Sequence, residues 1–228
     1  MTDHTICRHH GRERRLVPLD DDEKQDGAES FPRLTRRLAD HPEEWGRVRG
    51  RVRLEFDSLA AQWESVIGAH HLGAIEEALS RVPAATQALD LGTGTGLVAR
   101  LLATRYPTAR VVGLDISESM LRTASRAGRA GDIGYVLGDA AVIPFPDESF
   151  DLVTALNVFV FWNEVTRVLA PEGYVVIAYS SGEDTPINLP AAEVERHLAV
   201  AGPYSFEDGR TDPGTWIVAR KEVGHRPR

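Results

Sequence analysis

Apolar residues in the first part of the chain recur at helical spacing, whereas from Pro83 onward they gather into short dense runs separated by further helical stretches. The segment "LTRRLADHPEEWGRVRGRVRLEFDSLAAQWESV" spaces Leu54, Leu59, Trp63 and Val66 at helical intervals, with Pro42 and Gly46 dividing it into short helices. In "HHLGAIEEALSRVP", Leu72, Ile75, Leu79 and Val82 share one face and Pro83 ends the element. The runs "QALDLG", "ARVVGLD", "IGYVLGD", "FDLVTAL" and "GYVVIAYS" read as buried strands, with the helical "LVARLLATRY", "SESMLRTASRAG" and "WNEVTRVLA" between them. Strands joined by crossover helices describe an α/β fold whose parallel sheet is covered on both faces. The rhythm changes at the end: "PAAEVERHLAVAG" is a helix with Val194 and Leu198 inward, and "PYSFEDG" and "GTWIVARKE" are strands joined at "RTDPG". That pattern predicts a hairpin closing one end of the sheet.

Composition narrows this picture. With 228 residues and 42% apolar content, the chain can bury one sizeable core with appendages. The expected organisation is a disordered tail over residues 1–30, which mix both charge signs and include the acidic run "DDDE", a helical cap over 31–82 and an α/β domain over 83–222. A net charge of -8 and a pI near 5.5 argue against a surface that tracks nucleic-acid phosphates. The single cysteine, Cys7, cannot form an intrachain disulfide, as is usual in a reducing compartment. No stretch approaches the ~20 apolar residues needed to span a bilayer, and the expected location is the cytoplasm. His4, Cys7, His9 and His10 have no second ligand cluster at zinc-type spacing, so no metal is expected.

The chemistry concentrates at the ends of the predicted strands. In "ALDLGTGTGLVAR", residues 88–100, three glycines alternate between the first strand and a helix, the position at which an open α/β sheet binds its ligand. The loop reads G-x-G-x-G rather than the dinucleotide pattern G-x-G-x-x-G, and both cofactor classes stay open at this point. Asp115 ends the second strand about twenty residues on, where an acid accepts hydrogen bonds from ribose hydroxyls, which suits a nicotinamide dinucleotide equally well. Asp139 ends the third strand with Ala140 beside it, placed to pair with the amine and ring nitrogen of an adenine.

Together, "LDLGTGTG", "GLDIS", "GDAAVIPFPDESFDLV" and "EVTRVLAPEGYVVI" resemble, in order, the motifs of the class I S-adenosylmethionine-dependent methyltransferases, specifically the small-molecule group related to ubiquinone and menaquinone methyltransferases. The resemblance covers residues 54–222. It implies S-adenosyl-L-methionine as cofactor, a small-molecule acceptor, and a Rossmann-like seven-stranded sheet of order 3-2-1-4-5-7-6 with a C-terminal antiparallel hairpin and an N-terminal helical lid. Asp90, Gly92, Thr93, Gly94 and Gly96 match the first motif, where the glycines admit the methionine part of the cofactor and the carboxylate meets its ammonium. Asp115 matches the ribose-binding acid, with Ile116 against the adenine; Asp139 and Ala140 match the adenine-reading pair; Leu156 and Asn157 match the lining of the sulfonium side.

The chain departs from this family after the fourth strand, passing from "FDLVTALN" through "VFVFW" to the next helix several residues sooner, so no catalytic residue is assigned. Phe159, Phe161 and Trp162 there form either an aromatic wall or the packing of the short link. Substrate contacts are expected from Phe56 and Trp63, in a segment that also holds Asp57 and resembles the family's lid helix, and from Phe159, Phe161, Thr185 and Ile187, the last two in the loop "SSGEDTPINLP", where Pro186 and Asn188 are further candidates for substrate or cofactor contact. His70 and His71 are expected to pack or cap, Glu164 to cap or solvate its helix, and His197 to be exposed. Three functions remain to be separated: methyl transfer to oxygen, nitrogen or carbon of a small molecule; cofactor binding or regulation without transfer; and a nicotinamide-dependent oxidoreductase, for which no Tyr/Lys or His arrangement is found. A nucleic-acid amino-methylase would want an Asn/Asp-Pro-Pro-aromatic turn, and "LNVFVF" lacks the prolines.

Overall fold

A computed structural model describes residues 30–63, 71–127 and 131–223. The expected tail, with His4, Cys7, His9 and His10, lies outside these residues apart from Ser30, as do Val66 and His70. In chain order the elements are α1 (Phe31–Asp40), α2 (Trp45–Leu59), α3 (Gly73–Leu79), β1 (Gln87–Leu91), α4 (Leu97–Arg105), β2 (Arg110–Asp115), α5 (Glu118–Arg126) and β3 (Asp132–Leu137). They continue with β4 (Phe150–Leu156), α6 (Trp162–Val168), β5 (Leu169–Tyr179), α7 (Ala191–Ala199), β6 (Tyr204–Thr211) and β7 (Gly214–Lys221). The strands form one sheet in the order β3-β2-β1-β4-β5-β7-β6, as the resemblance implied. Strands β1 to β5 pair in parallel, and β7 joins β5 and β6 antiparallel, which makes the expected closing hairpin.

Alternate residues of the central strands enter two separate cores, which is why these strands read as continuous apolar runs rather than as an alternation. On β5, Val176 and Ala178 pack with α3 and α4, through Ile75, Leu79, Val98 and Leu102. Val175, Ile177 and Tyr179 face the other way, onto Val165 and Val168 of α6 and Val194 and Leu198 of α7. Leu72, Ile75, Leu79 and Val82 are all buried, as their spacing required. Strand β5 starts at Leu169, four residues before the predicted run, and α6 stops at Val168; a register shift between Phe150 and Leu152 of β4 accommodates the early pairing.

The N-terminal helices correct the sequence reading. Gly46 lies inside α2 rather than dividing it, and the break falls at a 3-10 turn over Pro42–Glu44. Leu54, one of the apolar positions at helical spacing, is 62% exposed, and α2 instead buries Trp45 and Val52. The reason is that α1 and α2 do not cover a sheet face. They form a third cluster with Phe159, Phe161 and Ile187, beside Ile116 and Ala140 at the ends of β2 and β3, so the inward face of α2 is chosen by what it meets there. A second tie holds α2 down: the Asp57 carboxylate accepts hydrogen bonds from Ser117 Oγ (2.6 Å) and the Ser119 N–H (3.3 Å) at the start of α5. Those donors hold the Asp57 carboxyl below its ordinary range, Ser117 contributing most. Among the described residues no helix is long and apolar enough to cross a membrane.

Candidate functional site

Parallel pairing brings the C-terminal ends of β1, β2, β3 and β4 to one edge, and a cleft opens there beneath α2. Asp90, Thr93, Gly94, Asp115, Ile116, Asp139, Ala140, Leu156 and Asn157 all line it, and so do Phe56, Trp63, Phe159, Phe161 and Ile187.

The glycine loop is held open for two different reasons. All three glycines have left-handed φ, from 55° to 82°. A Cβ on Gly92 would stand 2.4 Å from Val158, and one on Gly96 would stand 2.4 Å from the Tyr135 hydroxyl, so these two admit neighbouring parts of the protein. Gly96 is therefore a packing glycine at the start of α4 and does not line the cleft. Gly92 and Gly94 both line the cleft, and the nearest atom to a Cβ on Gly94 is the Trp63 indole nitrogen at 3.4 Å.

Three carboxylates converge on this space. Asp90 is 1% exposed; it accepts hydrogen bonds from Thr93 Oγ1 (2.6 Å) and Thr154 Oγ1 (2.9 Å). Burial pushes its pKa up to about 7 against the pull of the two hydroxyls, and the neighbouring Asp115 charge pushes the same way. Asp115 accepts from the Gly94 N–H (2.8 Å) with one oxygen and from the Ser117 N–H (2.8 Å) with the other, which fixes the carboxylate against the loop. Burial raises its pKa as well, opposed by these backbone donors. Asp139 accepts from the Ala141 N–H (2.9 Å) and from the indole N–H of Trp45, whose nitrogen lies 2.8 and 2.9 Å from its two oxygens. Among the described residues these three aspartates are the charged lining of the cleft; no basic side chain lines it, and Arg49 pairs with Asp139 from outside the lining at 3.5 Å.

The remaining predicted residues divide. Asn157 takes a left-handed φ of 53°, donates from Nδ2 to Ser180 Oγ (2.7 Å) and accepts the Ser180 N–H (2.9 Å); its amide ties the end of β4 to that of β5 and leaves its body as wall. Phe159 and Phe161 serve both roles left open by the sequence. They line the cleft and pack on the cap, Phe159 with Phe31 and Trp45 at 5.8 and 5.9 Å, Phe161 with Trp45 at 5.2 Å. Phe56 meets Trp63 edge-on at 5.6 Å. Thr185 is not part of the lining: it is buried and its hydroxyl accepts the Ser181 N–H (3.1 Å), so it closes its own turn. Trp162 also points away, stacking on His197 at 5.2 Å. His197 is therefore not the exposed residue its mid-helix position suggested; burial lowers its pKa. Glu164 does more than cap: it accepts the Ile143 N–H (2.7 Å) and pairs with Arg167 (2.7 Å), pinning the proline-rich link after β3.

Sequence reasoning missed Trp45, Val52, Leu114 and Met120, which line the cleft, as well as Thr95, Leu97, Val98, Gly138 and Val158. Trp45 carried a faint signal, a large aromatic at the head of the cap helix, but its contact with Asp139 spans 94 residues and has no local signature.

Comparison with known proteins agrees with this geometry. A family model described as a methyltransferase domain matches residues 89–177, the span from β1 into β5. Malonyl-acyl-carrier-protein O-methyltransferase from Methylococcus capsulatus is 37% identical over 173 residues, covering 68% of this chain and 58% of that protein. Demethylmenaquinone methyltransferase from Thermus thermophilus is 40% identical over 115 residues, covering 46% of this chain and 50% of that protein. The chain thus spans about half the length of these curated relatives, 58% of one and 50% of the other. A solved chain from the complex of the Haloferax volcanii Trm112 methyltransferase activator with its methyltransferase aligns with a TM-score of 0.63 at 22% identity, covering 74% of this chain and 98% of that one, a likeness of fold. The fold is that of the S-adenosylmethionine-dependent methyltransferases. Within it, residues 89–177 belong to the methyltransferase domain family.

Proposed function

We propose that the protein binds S-adenosylmethionine in the cleft and transfers its methyl group to a small-molecule acceptor. The observation that carries this reading is the charge of the lining: three carboxylates and, among the described residues, no basic side chain. A cofactor bearing a sulfonium and an ammonium is attracted by such a site, whereas the diphosphate of a nicotinamide dinucleotide would face like charge with no cation in the lining itself, Arg49 being already paired with Asp139 at its rim. The names of the relatives, transferases acting on a quinone precursor and on a carrier-bound malonyl group, support transfer over binding alone.

The residues present fit this cofactor. Asp139 and the Ala140 backbone suit an adenine edge, Ile116 its face, and Asp115, already fixed by two backbone donors, suits ribose hydroxyls. Gly94 leaves room for the methionine part, and Asp90, with one hydrogen bond to each oxygen, keeps lone pairs for an ammonium. When bound, the cofactor supplies a methyl already activated by its positive sulfur, so the chain's own task is orientation and exclusion of water. Phe56, Trp63, Phe159, Phe161 and Ile187 form an apolar wall for that purpose and for an acceptor with an apolar or aromatic body.

Calorimetry with S-adenosylmethionine, S-adenosylhomocysteine and NAD tests the cofactor. Binding of the first two is expected, weakened about tenfold or more by Asp115→Ala, since a hydrogen bond to a charged group is worth roughly 1.5–3 kcal/mol. Binding of NAD instead, or of none of the three, overturns the assignment. With binding in hand, S-adenosylhomocysteine release across a panel of phenols, carboxylic acids, amines and quinols tests transfer; no release with any of them would favour binding without transfer.

A further inference from the structure

Trp45 engages the carboxylate to which the cofactor reading gives the adenine's polar contact. Its indole N–H reaches both oxygens of Asp139, at 2.8 and 2.9 Å, while the Ala141 N–H already occupies one of them and Arg49 lies 3.5 Å from the other. The indole is 6% exposed and its ring is held by Phe159 and Phe161, so this is a built contact and not a loose surface one. Two hydrogen-bond donors and a cation thus already face this carboxylate, and the exocyclic amine of an adenine would have to share it with them or displace one.

We propose that Trp45 competes with the cofactor for Asp139, so that release of the head of α2 and entry of the adenine are one exchange at the same carboxylate. This rests on the cofactor reading above. The donor chemistry is equivalent, a planar aromatic N–H exchanged for a planar aromatic amine, and each state leaves the part-buried acid with a donor. The far end of the helix has a separate tie, Asp57 to Ser117 and Ser119, which shares no atom with the adenine contact. Helix α2 can therefore stay attached near α5 while its Trp45 end opens, a hinged cover rather than a detached one. The closed state lowers apparent affinity by the fraction of molecules in which Asp139 is engaged.

The test is S-adenosylhomocysteine binding to wild type and Trp45→Phe, by equilibrium titration and stopped-flow fluorescence. Phenylalanine keeps a ring against Phe159 and Phe161 but has no N–H to give. Tighter binding of the variant, by about tenfold with faster association, is expected if one such hydrogen bond of about 1.4 kcal/mol is removed from the closed state. In the wild type alone, the observed rate should level off at high ligand concentration, at the rate of opening, a readout that survives if the variant folds poorly. Equal or weaker binding by a folded variant, or a wild-type rate that rises linearly without limit, overturns the competition while leaving the cofactor assignment standing. Absence of binding to wild type and variant alike overturns the cofactor assignment and the competition with it.

Discussion

Asp90 ties the glycine loop to β4 and lines the cleft at the same time. Its folded-state pKa of about 7 lies above the ordinary 3.8, so the folded chain holds the proton more tightly than the unfolded chain does. Stability from this group is fully present below about pH 4 and is lost as pH rises through about 7, because in that interval the folded state binds more protons. Asp90→Asn should therefore flatten the fall in stability across that window, measured by urea denaturation; an unchanged slope would assign the fall to other groups. The same shift has a functional side with the opposite sign. An ammonium is held by the ionised form, so cofactor affinity should rise with pH through about 7 in the wild type and lose that dependence in the variant, as calorimetry over the same range would report.

At the scale of elements, the links between strands and helices place the site, and their anchors are non-local. The link from Val142 to Glu148 is fixed to α6 by Glu164 and Arg167: Arg167 donates to the Phe145 and Ile143 carbonyls and to Asp147, and Glu164 takes the Ile143 N–H. Arg167 holds the Glu164 carboxyl below its ordinary range, and Glu164 in turn raises the guanidinium. Replacing Glu164 by Ala leaves the Ile143 N–H and part of Arg167 unmatched. The expected cost is roughly 1–3 kcal/mol, with faster protease cleavage between residues 142 and 148 than elsewhere. Unaltered stability and cleavage would mean that the prolines hold this link unaided. The i, i+3 spacing of Glu164 and Arg167 was visible in the sequence, but their target, 21 residues upstream of Glu164, was not.

Across the whole molecule, the apolar interior divides into two clusters on opposite faces of the sheet and a smaller third one under the cap. The third rests on α1, α2 and the short link after β4, with polar ties from Asp57 and Trp45 and, at the surface, from Asp40 to Arg196 and Arg49 to Asp139. A unit with its own small core and few ties opens at lower free energy than one flanking a seven-stranded sheet. Amides of α2 should therefore exchange hydrogen well before those of β1, β4 and β5, and addition of S-adenosylhomocysteine should change exchange in α2 more than in α3. Uniform exchange across cap and sheet would show that the cap unfolds only with the rest.

What the sequence determined by itself is the part of the protein governed by local rules. Buried strands of five or six residues, crossover helices, the glycine loop and the acids at strand ends follow from periodicity and from the few residue types a sharp strand-to-helix turn admits. Asp90, Asp115 and Asp139 were found because each ends a strand, and a parallel sheet gathers strand ends at one edge. The tertiary structure alone decided which face of α2 turns inward, why Leu54 is exposed, that Thr185 and Trp162 turn away from the cleft, and that Trp45 meets Asp139. Those outcomes depend on a cap whose partners come from three distant stretches, Phe31–Leu38, Trp45–Phe56 and Phe159–Ile187. A helix packed over loop ends has no regular lattice of neighbours to impose a period on it, and its inward face is set by shape and by whichever buried polar group needs a partner.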